Sequence, residues 1–305
     1  MWVVELDEAG VRTHTPIGQG SGDVAWFGRD TTGAIDRLVL LRDVVGPVLA
    51  EAVRSHGPID VMSLAAQAVA MGDDVHVRTQ ASTNLLLRSL LPALVEVEHS
   101  RRVEAATFLS GNYLLFLSLA MAAARALTTW AGQVEGSSIV TGMARNGTEF
   151  ATWLAGPDPT WHMAPAPPVK RALYQPGRSE ADAAPDIGDS AVLELVGLGG
   201  ACAAGSPAVA QMVGGTMAHA AELTEELDSV TVGSSSRFTI PVWGMRGSPV
   251  AVDVRRVVER GITPSVTTGI LHNSDGSGQV GAGVAQAPIE PFIAALLELD
   301  ATLGA

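Results

Sequence analysis

The chain has 305 residues, 47% of them apolar and only 17% charged, with a net charge of −13. That length carries a substantial core in one large or two modest domains, and an acidic balance without any basic run excludes nucleic acid as a partner. The single cysteine, Cys202, excludes an internal disulfide and a cysteine-built zinc cage.

A charged share below the usual value of about 25% describes a surface partly covered by another copy of the chain or by partner subunits. The start, Met1 to Asp7, lacks the basic flank and long apolar stretch of a signal peptide. The longest apolar run, Leu114 to Ala124, is broken by Ser118 and closed by Arg125, short of the roughly 20 residues a membrane span needs. The expectation is a cytoplasmic protein without membrane contact.

Trp2 to Leu6 reads as a short strand. The glycine-rich segment Gly18 to Asp23 lacks the lysine and spacing of a phosphate-binding loop, so a hairpin is its default reading. Apolar residues at helical spacing from Ile35 to Ser55 predict a helix that Pro47 kinks or divides and that ends at His56-Gly57-Pro58. A second helix is predicted over Ile59 to Met71.

It runs into a dense polar cluster, Met71 to Gln80, in which Asp73, Asp74, His76 and Arg78 fall within six residues. That set suits an acid–base or ligand-binding arrangement. It also suits plain helix punctuation, with Gly72 as a cap and the acids at the next helix's positive end. Ser82 to Glu98 and the apolar spine Ala105 to Trp130 follow as helices, the latter interrupted at Gly111-Asn112, where Asn112 is placed to cap a helix start.

The spine delivers the chain to Gly136 to Phe150, where three hydroxyls precede Arg145-Asn146-Gly147-Thr148-Glu149. One fixed cation, mixed donors and a carboxylate suit a small planar anion. The alternative is a polar strand–turn–strand whose Arg145 and Glu149 pair at a surface. Residues 156–185 hold many of the prolines and read as an ordered loop or extended arm. Pro185 to Ser190 leads into a helix containing Val192, Leu193, Leu195 and Val196, with Asp189 or Ser190 as its cap and Asp186 or Asp189 as candidate substrate ligands.

Gly197 to Gly205 fails the dinucleotide spacing and reads as close packing of small residues. Thr216 to Val230 is an acidic amphipathic helix, Phe238 to Val254 a hairpin with a short helix after it, and Glu290 to Leu303 a closing helix. Pro264 to His272 and Gln279 to Val284 are the last strands, joined by a third polar cluster, His272 to Gln279. Helices and strands without regular alternation give an α+β fold. A mainly helical half (1–155) is expected to meet a mixed α/β half (186–305) at a shared cleft, with 156–185 as the connector.

Several long motifs in one order resemble the bacterial YlbE/AllG family, which includes a subunit of the oxamate carbamoyltransferase of anaerobic allantoin breakdown. They are Met71 to Arg78, Ser137 to Phe150, Ala164 to Val169, Pro185 to Ser190 and Gly278 to Gly283. Longer members carry an upstream segment, so the chain corresponds to the family's core region. It departs from the family pattern at Val77, Thr79, Tyr113, Ser118 and Asn273, which suggests a related reaction on a different substrate.

The resemblance implies carbamoyl transfer from carbamoyl phosphate to a small amine, amide or ureido acceptor in nitrogen metabolism, with no cofactor and no metal. It places Arg145 and Arg78 on anionic groups, and Asn146, Thr148 and Ser138 on the planar amide. His76 or His272 is the proton acceptor, oriented by Glu149 or Asp189. Asp74, Asn112, Asp186 and Gln279 complete the candidate substrate shell. The chain lacks the Ser-Thr-Arg-Thr phosphate motif of ordinary transcarbamoylases, and no serine sits in a Gly-x-Ser-x-Gly elbow, which argues against an acyl-serine hydrolase. The rivals are hydrolysis or ring closure of a ureido or amide compound, and a non-catalytic scaffold subunit of a larger transferase.

Overall fold

The computed structural model describes residues 1–6 and 9–304. Strands β1 (Trp2–Leu6) and β2 (Val11–Thr15) pair as an antiparallel ribbon. Helix α1 (Thr32–Leu40) starts at Thr31, whose hydroxyl accepts from Ala34 N, and α2 (Gly46–His56) ends at Gly57 with φ 87°. Pro47 does divide the pair. It offers no N–H to the carbonyl four residues back, and Leu41–Val45 widen into a π turn closed by Gly46 N on Leu41 O.

Helix α3 (Val61–Ala70) is capped by Asp60, which accepts Ser63 N–H at 2.9 Å and the Ser63 hydroxyl at 2.6 Å. The Ser63 hydroxyl, foremost among these bonds, holds the Asp60 carboxyl below its ordinary value of 3.8. A depressed folded-state value means stability that is present above the unfolded value and lost as pH falls through the folded one. Asp60→Ala is therefore expected to cost about 1 kcal/mol near neutral pH. In urea titrations repeated at falling pH, the gap to the parent should close in the acid range below 3.8; a gap that stays constant would remove the carboxylate from the account.

Helices α4 (Gln80–Glu96), α5 (Arg102–Gly111) and α6 (Leu115–Ala131) complete the helical half. The last two meet at 75° across Asn112, and among the described residues no single helix is long and apolar enough to cross a membrane.

After α6, β3 (Val140–Asn146) and β4 (Glu149–Leu154) form a hairpin that turns at Gly147, φ 84°. They are the middle of a four-stranded antiparallel sheet, with β5 (His162–Pro165) on one edge and the two-residue β7 (Ile187–Gly188) on the other. A second sheet orders β10 (Ser265–Leu271), β11 (Gln279–Gln286) and β6 (Val169–Tyr174), and β8 (Thr231–Ile240) pairs with β9 (Arg246–Val252). The remaining helices are α7 (Val192–Leu195), α8 (Pro207–Met212), α9 (Met217–Val230), α10 (Val254–Arg260) and α11 (Glu290–Leu303).

The proline-rich connector was expected to lack regular structure, yet it contains β5 and β6. Both are edge strands, where a missing N–H faces no neighbour, and Pro165 closes β5.

Two of the four apolar clusters among the described residues make up the main core, and the fold is α+β. One gathers Val44, Leu49, Leu86, Leu90, Leu109 and Phe116 of the helical half with Leu193, Leu198 and Ile240. The other packs Met143, Phe150, Leu227, Val252 and Phe292 between the β3–β4 hairpin, α9, α10 and α11.

Candidate active site

The polar cluster after α3 forms a tight buried loop. Gly72, φ 95°, turns the chain, and Asp73 Oδ2 accepts the N–H of Ser82 in the first turn of α4 at 2.8 Å. Asp74 accepts from Arg78 N at 2.8 Å and Val77 N at 3.2 Å. The helix-start role thus falls to Asp73, while Asp74 closes the loop that carries His76. Between them and the imidazole, Val75 sits fully buried at φ 61°. A β-branched residue in the left-handed region is strained, and strain of this kind persists where the surroundings over-determine a functional group. Burial pushes the carboxyls of Asp73 and Asp74 above their ordinary range.

The strained loop presents His76, which is 4% exposed and bonded at both ring nitrogens. Nδ1 lies 2.8 Å from Glu194 Oε1, and Nε2 lies 2.6 Å from Ser190 Oγ. Glu194, on α7, is fully buried. The same oxygen accepts Gly200 N–H at 3.1 Å and Thr267 N–H at 3.3 Å, while Oε2 has no partner among the described residues. Thr267 Oγ1 stands 3.1 Å from His76 Nδ1, 3.3 Å from Glu194 Oε1 and 3.4 Å from Asp74 Oδ2. A carboxylate at Nδ1 keeps the proton there and leaves the Nε2 lone pair for the Ser190 hydroxyl.

Just ahead of Ser190 in the chain, Asp186 and Gly188 belong to a second buried network. Arg145 Nε donates to Asp186 Oδ2 at 2.6 Å and Nη2 to Asp186 Oδ1 at 3.3 Å. Nη2 also donates to Thr268 Oγ1 at 3.1 Å, and Nη1 to Gly188 O at 3.0 Å. Thr268 Oγ1 in turn donates to Asp186 Oδ1 at 2.9 Å. The guanidinium is already neutralised, and it fixes the backbone of β7 just ahead of Asp189 and Ser190.

Both networks open on one cavity of about 530 Å³. Its lining includes the polar His76, Arg145, Asp189, Ser190, Thr268 and Gln279 and the apolar Ile17, Trp26, Phe27, Leu117, Met121 and Leu271. The Arg145 guanidinium and the His76 imidazole thus line the same cavity.

Other expected residues fall elsewhere. Asn146, Thr148 and Glu149 share the exposed β3–β4 turn, where Asn146 Oδ1 accepts from Thr148 N at 2.9 Å and from Glu149 N at 2.6 Å. Asp74 underlies His76 without lining the cavity. Arg78 lies 3.5 Å from Asp73 Oδ1 and donates to Gly72 O. His272 stands between Asp182 and Asp275, at 3.5 and 3.0 Å.

Ser138 is buried, its carbonyl accepting Val254 N–H. Asn112 Nδ2 donates to Gly18 O at 2.7 Å, and with Arg37, which donates to Gln19 O and Ser21 O, it pins the glycine-rich loop against α6 in place of a hairpin. The helix after Ser190 carries no side-chain cap, so neither Asp189 nor Ser190 serves as one. The carboxylate on His76 is Glu194, and the residues that sequence reasoning missed are Glu194, Thr267, Thr268 and the hydroxyl role of Ser190. Glu194 did leave a trace: it is the lone charge in the apolar run Ala191 to Leu198.

These features define an α+β protein with a serine–imidazole–carboxylate chain on the wall of a largely apolar cavity. The profile of the family of the oxamate carbamoyltransferase subunit AllG matches residues 1–190. The Escherichia coli oxamate carbamoyltransferase subunit AllG is 38% identical over the whole chain, which spans 73% of that relative. An uncharacterised Escherichia coli protein, YahG, is 34% identical over 97% of the chain, here spanning 63% of the relative. The crystal structure of a conserved protein of unknown function from Enterococcus faecalis V583 superposes with a TM-score of 0.94 at 34% identity, covering 98% of this chain and 72% of that one. The chain belongs to the AllG family.

Proposed function

We propose that the chain is a subunit of a carbamoyltransferase-like enzyme whose cavity binds a small amine, amide or ureido acceptor, with His76 as its proton acceptor. The observation that carries this reading is His76, held by Glu194 and opening on the cavity in a member of the AllG family. Proton transfer requires such a base within hydrogen-bond reach of the reacting atom. Three departures from the family pattern, Val77, Tyr113 and Ser118, line the cavity, which supports an acceptor less polar than oxamate.

Among the described residues Arg145 is the one cation on the cavity wall, and it is spent on Asp186. In this reading it sets the Gly188–Ser190 rim, and the charge of carbamoyl phosphate is met by a partner subunit. The exposed Leu91 and Val95, one turn apart on α4, and the exposed Val103 on α5 support a surface that partners cover. A cytoplasmic, oligomeric subunit serving nitrogen metabolism follows from the same reading.

The test is phosphate release from carbamoyl phosphate with a panel of amines and amides, using the chain together with the subunits that co-purify with it. Acceptor-dependent release that falls by about 10²–10⁴ in His76→Ala is expected. Release indifferent to His76, or absent with every acceptor, would defeat the proposal. The neutralised guanidinium favours one rival, hydrolysis or ring closure of an uncharged ureido compound, which would proceed without carbamoyl phosphate.

A further inference from the structure

We infer that Ser190 is a covalent nucleophile, activated by His76 and Glu194, that carries the transferred carbonyl group as a serine ester. The inference deepens the proposed function and rests on it for the identity of the group carried; the nucleophile itself rests on geometry. The hydroxyl lies 2.6 Å from His76 Nε2, and the opposite ring nitrogen lies 2.8 Å from a fully buried carboxylate. This is the arrangement a weak nucleophile needs: a base within reach, and a third group that fixes the base's tautomer and stabilises its cation.

Three further observations separate it from an ordinary buried hydrogen-bond chain. Ser190 and His76 both line the cavity, so the hydroxyl is accessible to a substrate. The position beside the helix start would normally make Ser190 a cap, and its hydroxyl goes to His76 instead. Glu194 is clamped by Gly200 N, Thr267 N and Thr267 Oγ1 on the oxygen that faces the imidazole, which fixes orientation where a purely structural carboxylate would satisfy both oxygens.

The chemistry balances in two steps. Ser190 Oγ attacks the carbonyl carbon as its proton passes to His76 Nε2; the Oγ–C bond forms, the bond from carbon to the leaving oxygen breaks, and the leaving group, phosphate or an alcohol, departs with the electron pair and that proton, which returns His76 to its neutral form. An acceptor amine then attacks the serine ester while His76 takes an amine proton. The N–C bond forms, the C–Oγ bond breaks, and Ser190 Oγ regains a proton from His76.

The experiment treats the folded chain with an aryl carbamate and, separately, a fluorophosphonate, then locates the adduct by peptide mass spectrometry and follows the released phenol. A burst of about one phenol per chain with the adduct on Ser190 is expected. Ser190→Ala should abolish it, while Ser190→Cys should retain a labelled residue at the same position. Glu194→Gln, of the same shape but unable to hold the tautomer, should slow labelling by about 10³–10⁴, with partial recovery in Glu194→Asp. His76→Gly should be rescued by added imidazole, a response that a merely structural histidine would not give.

No adduct on Ser190 in the parent chain, or labelling unaffected by both His76→Gly and Glu194→Gln, would overturn the inference. The two proposals fail separately. Carbamoyl transfer that persists in Ser190→Ala sinks the nucleophile and spares the function. A Ser190 adduct without any transfer in the assembly does the reverse.

Discussion

Arg145→Ala is expected to lower stability by about 3–5 kcal/mol, because it strands a buried carboxylate. The side chains of Arg145 and Asp186 are 0% and 1% exposed. Removing the guanidinium leaves Asp186, among the described residues, with only the Thr268 hydroxyl, at 2.9 Å, for its charge. Arg145→Lys is not a conservative replacement here, since an ammonium cannot reach Asp186, Thr268 and Gly188 O in one plane.

The pair itself adds little beyond what well-packed apolar groups would give. The double variant Arg145→Met/Asp186→Leu should therefore recover much of the loss in urea unfolding, with non-additivity of about 0.5–3 kcal/mol in the double-mutant cycle. It should not recover activity, because Gly188 O loses the donor that holds the rim ahead of Ser190. An Arg145→Ala protein within about 1 kcal/mol of the parent would show that the pair is solvated.

The same residue illustrates what could be read from the sequence. The helices were legible because their apolar residues recur at helical spacing, and Gly57 and Pro47 act locally. That Arg145 stands on a strand beside a turn was one of two readings of its segment, but that reading paired it with Glu149 at a surface, whereas it is buried on Asp186. Its partner was not legible: Asp186 lies 41 residues away and reads as a candidate substrate ligand ahead of a helix.

Strands β5 and β6 were hidden for a related reason. Their pairing, Phe150 with Ala164 and Gly281 with Tyr174, is decided by a distant segment, while prolines dominate the local signal. In the site, His76 was visible through its polar neighbours. Glu194, in contrast, was surrounded by Val192, Leu193, Leu195 and Val196, and helical periodicity assigns such a position to packing or solvent. The imidazole 118 residues upstream gives that carboxylate its role, and spacing does not encode that meeting.

Gly199 connects the backbone to the imidazole and carboxylate directly, and Gly199→Ala is expected to cost about 10² or more in activity, the scale on which a 1 Å misplacement of reacting groups is felt. Its φ is 60°, a region that L residues enter at a cost of about 1–2 kcal/mol. The added methyl would overlap Glu194 Oε1, lie 2.7 Å from Glu194 Cδ and 3.0 Å from His76 Nδ1.

None of these atoms can yield cheaply. Glu194 Oε1 is held by Gly200 N and Thr267 N, and Gly199 N itself donates to Asp74 O at 2.7 Å, tying the turn to the loop that bears His76. The methyl must therefore drive the carboxylate from the imidazole, which frees the ring to rotate and withdraws Nε2 from Ser190. Gly261→Ala is the control. It has nearly the same φ, 64°, with nothing within 4 Å of the added carbon, so it carries the backbone strain alone. Comparable unfolding losses with activity lost only in Gly199→Ala would place the effect in the His76–Glu194 contact. Equal activity in the two variants would mean that this contact is not needed for the reaction.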